Sequence, residues 1–154
     1  RPDNFLYLGL IKALFPRAKV VVTLRDWRDV ATSVFATRLG PAAPYSTDLR
    51  HIRHFITQHD RLISHWRSLF GDDVTTVRYE DLVAAPRATV ERLLAALGEP
   101  WDERCLAFHE LRNTVQTASV WQVRQPLYSG SVGRWQRFKE AFVVAFGPDV
   151  GAAS

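Results

Sequence analysis

The chain has 154 residues, 47% of them hydrophobic and 23% charged, and its formal net charge of +4 comes from 17 arginines and 3 lysines set against 16 acids. That balance excludes a disordered chain, and Cys105, the single cysteine, excludes an internal disulfide and argues against a thiolate zinc site. No apolar run approaches the roughly 18–20 residues of a membrane helix, and a chain of this length is long enough to bury one core.

From Asp3 to Phe15 the sequence reads as a helix, with Asp3 as its cap, Phe5, Leu8, Ile11 and Phe15 at helical spacing, and Pro16 as its end. Val20 to Leu24 is a short continuous apolar run, the pattern of a strand buried on both faces of a parallel sheet. Asp26 caps a second helix to about Leu39, and Gly40 to Tyr45 is a loop. Asp48 caps a long helix to about Phe70, whose apolar stripe is Leu49, Ile52, Phe55, Ile56, Leu62, Ile63, Trp66 and Leu69. Val74 to Tyr79 reads as a second strand. Pro86 opens a helix that Gly98 ends, and a shorter helix spans about Glu103 to Leu111. Asn113 to Val132 is long for a plain connector, which favours a functional loop. A last helix runs from about Gly133 to Phe146.

Alternating strands and helices indicate an α/β sheet with covering helices. Two strands make a poor sheet, so further strands are expected upstream. The chain contains no Met and starts abruptly at Arg1, which reads as a fragment. Residues 1–147 are taken as the C-terminal part of one domain and 148–154 as a tail.

Two constellations could carry chemistry. The first is Arg25-Asp26-Trp27-Arg28-Asp29 with Ser33, directly after the first strand. Ligands of open α/β sheets bind beyond the carboxyl ends of the strands, and a helix start there favours an anion. The bland alternative pairs Arg25 with Asp29 and leaves Ser33 on a helix surface. The second is Thr117 to Pro126, followed by Tyr128-Ser129-Gly130-Ser131-Val132-Gly133-Arg134-Trp135. This polar, arginine-bearing loop can fold over an anion, or it can be a surface loop anchored by Trp121 and Trp135. His51, His54, His59 and His65 share the long helix without a third metal ligand in register, and His109 reads as a packing or surface residue. No metal site is assigned.

The chain resembles sulfotransferases that use 3'-phosphoadenosine 5'-phosphosulfate (PAPS), in particular the group of protein-tyrosine sulfotransferases and bacterial sulfotransferases fused to tetratricopeptide repeats. The matching pieces are Pro2 to Ile11, Leu14-Phe15-Pro16, Arg25 to Asp29 with Ser33, Arg78-Tyr79-Glu80-Asp81-Leu82-Val83, Thr117 to Pro126, and Gly133-Arg134-Trp135. The resemblance implies a P-loop-NTPase-like parallel sheet with flanking helices, here truncated at the N-terminus. The 5'-phosphosulfate loop, the first strands, a lysine and the general base would all lie upstream. Trp27 stands where the family usually has Pro.

On that resemblance Arg25, Ser33 and Arg134 hold the 3'-phosphate of PAPS, with Arg38 near a further phosphate-binding position. Ser119 falls beside the transferring sulfuryl group, and Glu80 or Asp81 braces the segment that follows. The implied co-substrate is PAPS, released as adenosine 3',5'-bisphosphate. The implied acceptor is a hydroxyl or phenol, with protein tyrosine among the candidates and nucleic acid not among them. A fragment of this kind would be inactive alone. The alternatives left open are a non-catalytic nucleotide or anion module and a P-loop-kinase-like phosphotransferase, although no Gly-x-x-x-x-Gly-Lys-Ser/Thr loop occurs. Acceptor identity and oligomeric state stay open, as does the compartment, which would be cytoplasmic for a bacterial source.

Overall fold

The computed structural model describes residues 3–37, 39–41, 43–107 and 129–151. A 3-10 turn, Asn4–Tyr7, leads into α1 (Leu8–Leu14), followed by β1 (Val20–Leu24) and α2 (Trp27–Thr37). After a 3-10 turn at Pro44–Thr47 come α3 (Leu49–Phe70), β2 (Val74–Arg78), α4 (Tyr79–Ala84) and α5 (Pro86–Leu97). Short 3-10 turns cover Glu103–Cys105 and Arg134–Phe138, and the latter runs into α6 (Lys139–Phe146). Of the 148–154 tail, Pro148–Gly151 form a last 3-10 turn, whose Val150 packs on the core. The architecture is mixed α/β and mostly helical.

Among the described residues the sheet has two strands, β1 and β2, paired in parallel from Val20 opposite Val74 to Leu24 opposite Arg78. α2 and α3 form the crossover between them. The expectation that β1 is buried on both faces does not hold here. Val20, Val22 and Leu24 are half-buried, whereas Val21 and Thr23 are exposed. Burial along β1 thus alternates with the pleat, whereas β2 has a buried residue on each face, Val74 and Val77.

α3 is the longest element, and local chemistry sets both its ends. Asp48 accepts the backbone N–H groups of Arg50 (2.7 Å) and His51 (3.3 Å), filling donors that a helix start leaves unpaired. Gly71 ends it at φ +52°, and its N–H reaches the Arg67 carbonyl. Ile52 and Ile63, three turns apart, are the most buried residues of its stripe, while Leu69 is exposed. The core gathers Ala31, Ile52, Trp135 and Phe142, with Trp27, Val34, Tyr45, Leu49, Ile56, Phe146 and Val150 packed around them. It thus joins α2, α3 and the C-terminal α6.

α1 is fixed at both ends. Trp66 of α3 donates its indole N–H to the Phe5 carbonyl at 2.8 Å, and a Cβ at Gly9 would stand only 3.0 Å from the Trp66 ring, so glycine permits this approach. Lys12, only 7% exposed, donates to the carbonyls of Pro16 (2.6 Å) and Ala18 (3.0 Å) and to Asp73 (2.7 Å). Several boundaries differ from those read in the sequence. Asp3 makes no side-chain cap, because the chain enters α1 through a tight 3-10 turn closed by Leu6 N–H on the Asp3 carbonyl. α2 stops at Thr37, and β2 stops at Arg78 because α4, unforeseen in the sequence, starts at Tyr79. Of the helix expected at Glu103 to Leu111, Glu103–Cys105 form a 3-10 turn, and residues 108–111 lie outside the described residues.

Hydrogen bonds from Lys12 and Lys19 lower the Asp73 carboxyl from 3.8 to about 2. A carboxyl depressed by folding contributes stability above its unfolded value and loses it as pH falls through the folded one. Asp73→Asn is therefore expected to lower Tm at neutral pH and to flatten its fall between about pH 4 and about pH 2, read by thermal melts across that range. Parallel wild-type and variant curves would refute the Lys12–Asp73–Lys19 tie.

Candidate functional site

The β1–β2 register decides what meets at the carboxyl edge of the sheet. Leu24 lies opposite Arg78, so Arg25-Asp26 and Tyr79-Glu80 leave the strands side by side. The Arg25 guanidinium sits over the Tyr79 ring, 4.9 Å from its centroid, in a cation–π arrangement. Glu80 Oε1 accepts the Asp26 N–H at 2.7 Å. Glu80, expected to brace the segment that follows it, instead braces the start of α2 across the sheet edge.

Asp26 caps α2. Its Oδ1 accepts the Arg28 N–H at 2.8 Å, and its two oxygens hold the Arg28 guanidinium at 2.6 to 3.2 Å. Burial opposes ionisation of this carboxyl, but the Arg28 side-chain and backbone hydrogen bonds outweigh it and hold the carboxyl below its ordinary range. The first turn of α2 therefore already faces an anion of its own. An external anion at this edge depends on side-chain cations more than on free helix N–H groups.

In the first turn of α2, Asp29 is 1% exposed. Its carboxylate accepts two backbone N–H groups from 104 and 106 residues later, Gly133 at 2.8 Å and Trp135 at 2.9 Å. Arg25 Nη2 lies 3.5 Å from Asp29 Oδ2, and it donates to the Ser131 carbonyl. Gly133 sits at φ +71°, a left-handed conformation that glycine adopts without strain. Trp135 is buried, with the Arg28 guanidinium 4.3 Å from its ring centroid, and Arg28 Nη1 donates to the Val150 carbonyl at 3.0 Å.

The residues singled out in the sequence fall as follows. Arg25 is largely buried at the end of β1, with its side chain 22% exposed. Arg134 lies between the two residues whose N–H groups bind Asp29, and its own side chain is exposed. Ser33 is half-buried in α2, one turn beyond Asp29 on the same helix face. Arg38 and Ser119 lie outside the described residues. Arg25 and the backbone around Arg134 are thus brought together through Asp29. Arg25 also borders a mostly apolar cavity of about 210 Å³ between α2 and α3, lined by Val30, Val34, Ile52, Phe55 and Ile56 among others, and neither Ser33 nor Arg134 lines it.

Arg25 has donors to spare. Among the described residues its Nε is buried without a hydrogen-bond partner. Such a group is costly to leave unpaired. The pairing of Arg25 with Asp29 was readable from their spacing, but the Gly133 and Trp135 partners of Asp29 and the cross-edge bond of Glu80 were not. Among the described residues no three His, Cys, Asp or Glu side chains converge as metal ligands, and no helix is long and apolar enough to cross a membrane.

Comparison with known proteins gives these residues a context. An uncharacterized protein of Aquifex aeolicus (strain VF5) is 36% identical over 143 residues, which cover 90% of this chain and 19% of that protein. Protein-tyrosine sulfotransferase A of Caenorhabditis elegans is 28% identical over 105 residues, or 66% of this chain and 27% of that protein. The chain thus spans about a fifth to a quarter of the length of these relatives. A family model described as "Sulfotransferase family" matches residues 1–103. The match takes in Arg25, Ser33 and the β1–β2 edge, and the chain belongs to the sulfotransferase family.

Proposed function

We propose that the protein transfers a sulfuryl group from PAPS to a hydroxyl or phenol acceptor, and that Arg25, Ser33 and Arg134 grip the 3'-phosphate of the nucleotide. The observation that carries this is Arg25. It is a largely buried cation at the carboxyl edge of a parallel strand pair, with an unpartnered Nε, and the turn bearing Arg134 is bonded to the same Asp29. These residues fit a phosphate, because guanidinium presents planar donors that match phosphate oxygens.

PAPS supplies the sulfuryl group, with adenosine 3',5'-bisphosphate as the leaving group. The residues of this chain bind and orient. Arg25 offers the donors left over from Asp29 and Ser131, Arg134 reaches in from an exposed position on its anchored turn, and Ser33 adds a hydroxyl one helical turn beyond Asp29. Arg38 is assigned a further phosphate contact. Binding energy spent on the remote phosphate holds the reacting group in line for attack. Ser119 is assigned to donate a hydrogen bond as charge builds on the bridging oxygen. The same proposal takes β1 and β2 as neighbours in a larger P-loop-like sheet and puts the chain in the tyrosylprotein and tetratricopeptide-repeat-fused branch. The relative named as a protein-tyrosine sulfotransferase makes protein tyrosine the acceptor to try first.

Calorimetric titration with adenosine 3',5'-bisphosphate and with its 2',5' isomer tests the nucleotide assignment, with the 3',5' isomer expected to bind more tightly. Charge-assisted hydrogen bonds of about 1.5–3 kcal/mol correspond to roughly ten- to hundredfold in affinity, so Arg25→Ala should weaken the 3',5' isomer by about that factor. Equal affinity for both isomers, or binding that falls steeply with salt and ignores the base, points to a polyanion module instead. A Mg²⁺ requirement for turnover would favour a kinase-like enzyme.

Ser119 has its own test. In the longest form of the protein that turns over, Ser119→Ala is expected to lower kcat roughly 10²–10³-fold with little change in nucleotide affinity. A variant that keeps kcat and loses PAPS affinity would make Ser119 a binding residue.

A further inference from the structure

Asp29 is an acid where an anion is proposed to bind, and its own charge opposes that ligand. Its surroundings resolve the conflict. The carboxylate is 1% exposed and is covered by the Gly133 N–H at 2.8 Å, the Trp135 N–H at 2.9 Å and the Arg25 guanidinium at 3.5 Å. Both oxygens point inward to these donors. Arg134 is the residue between the two backbone donors, so the chain on either side of it is tied to Asp29 while its side chain stays outside. Asp29 also fixes Arg25 by one corner of the guanidinium, Nη2, and leaves Nε unused.

Resting on the 3'-phosphate assignment above, we infer that Asp29 is a positioning residue: its carboxylate clasps the 133–135 turn to Arg25, so that Arg25 and Arg134 are held together to meet one phosphate. Asp29 itself touches no ligand. Asparagine keeps its shape but cannot do its work. The amide has one acceptor oxygen for two backbone N–H groups, and its NH₂ faces donors. The charge that holds the Arg25 corner is lost as well.

The test compares two ligands, adenosine 3',5'-bisphosphate and adenosine 5'-phosphate, which differ only in the 3'-phosphate. Each is titrated into the full protein, wild type and Asp29→Asn. The wild type should prefer the bisphosphate, and Asp29→Asn should lower that preference about tenfold while leaving adenosine 5'-phosphate within about threefold, since one tenfold step is the loss of a single good interaction. The Asp29→Asn effect should shrink in an Arg134→Gln background, because residues acting through one another are not additive. Should Asp29→Asn fail to fold, Gly133→Ala strains the clasped turn at its positive φ and leaves Asp29 and Arg25 intact. It should reduce the same preference. A wild-type preference that Asp29→Asn, or Gly133→Ala in its place, leaves intact overturns the inference alone, as does an equal weakening of both ligands. A wild type that shows no preference overturns the 3'-phosphate assignment together with it.

Discussion

A carboxylate buried to 1% exposure is the constraint around which this molecule is arranged. Taking a charge out of water costs several kcal/mol unless hydrogen bonds and a counter-charge replace the solvent. Asp29 receives both, and two of its donors come from more than a hundred residues later. Removing one side of a buried charged contact typically costs about 3–5 kcal/mol. The 133–135 turn is therefore bound to α2 by a requirement of the acid as much as by its own packing. Next to the turn, Trp135 lies in the core with Ala31, Ile52 and Phe142 of α6, and the Val150 carbonyl accepts from Arg28. One acid at the head of α2 thus fixes how the C-terminal segment meets the crossover helices.

The parallel register supplies the other half of the arrangement. Because Leu24 pairs with Arg78, the residues after both strands emerge together, and each strand's continuation serves the other. Tyr79 provides a ring beneath Arg25, and Glu80 satisfies the Asp26 N–H that begins α2. Shifting β2 by one residue would move both away from their partners and turn each of its side chains, the buried Val74 and Val77 included, to the face opposite the one it now occupies. The sheet register and the site geometry are the same fact seen at two scales.

The parts legible in the sequence were those dictated locally. Asp48 before α3, Gly98 after α5 at φ +78°, Pro86 at the start of α5, and the Val20–Leu24 run all stand where short-range rules put them. The i, i+4 spacing of Arg25 and Asp29 was enough to raise their pairing. What short-range rules could not supply was partnership across the chain. Asp29 reads as one more acid in a helix's first turn until its donors at Gly133 and Trp135 are known. α4 was missed because its six residues, Tyr79 to Ala84, are too few for a helical period to declare itself. The burial of β1 was misjudged because apolar residues at every position do not reveal which face is covered.

Arginine at position 25 is asked to do several things at once, and this bears on why the site depends on its supports. Its guanidinium lies on a ring, donates to a carbonyl, faces a carboxylate and keeps Nε in reserve. Lysine, a point charge without a planar fork, could not divide its donors in this way. An arginine so fully held has little rotamer freedom left to lose, so under the proposed phosphate assignment less of the binding energy is spent on ordering it. The same holding means that its orientation is inherited from Asp29, Ser131 and Tyr79. Affinity at this edge should then follow the integrity of the 129–135 turn as closely as the identity of the cation. β1, β2 and the turn are far apart in sequence, and the packing of the C-terminal segment onto α2 sets the orientation of Arg25.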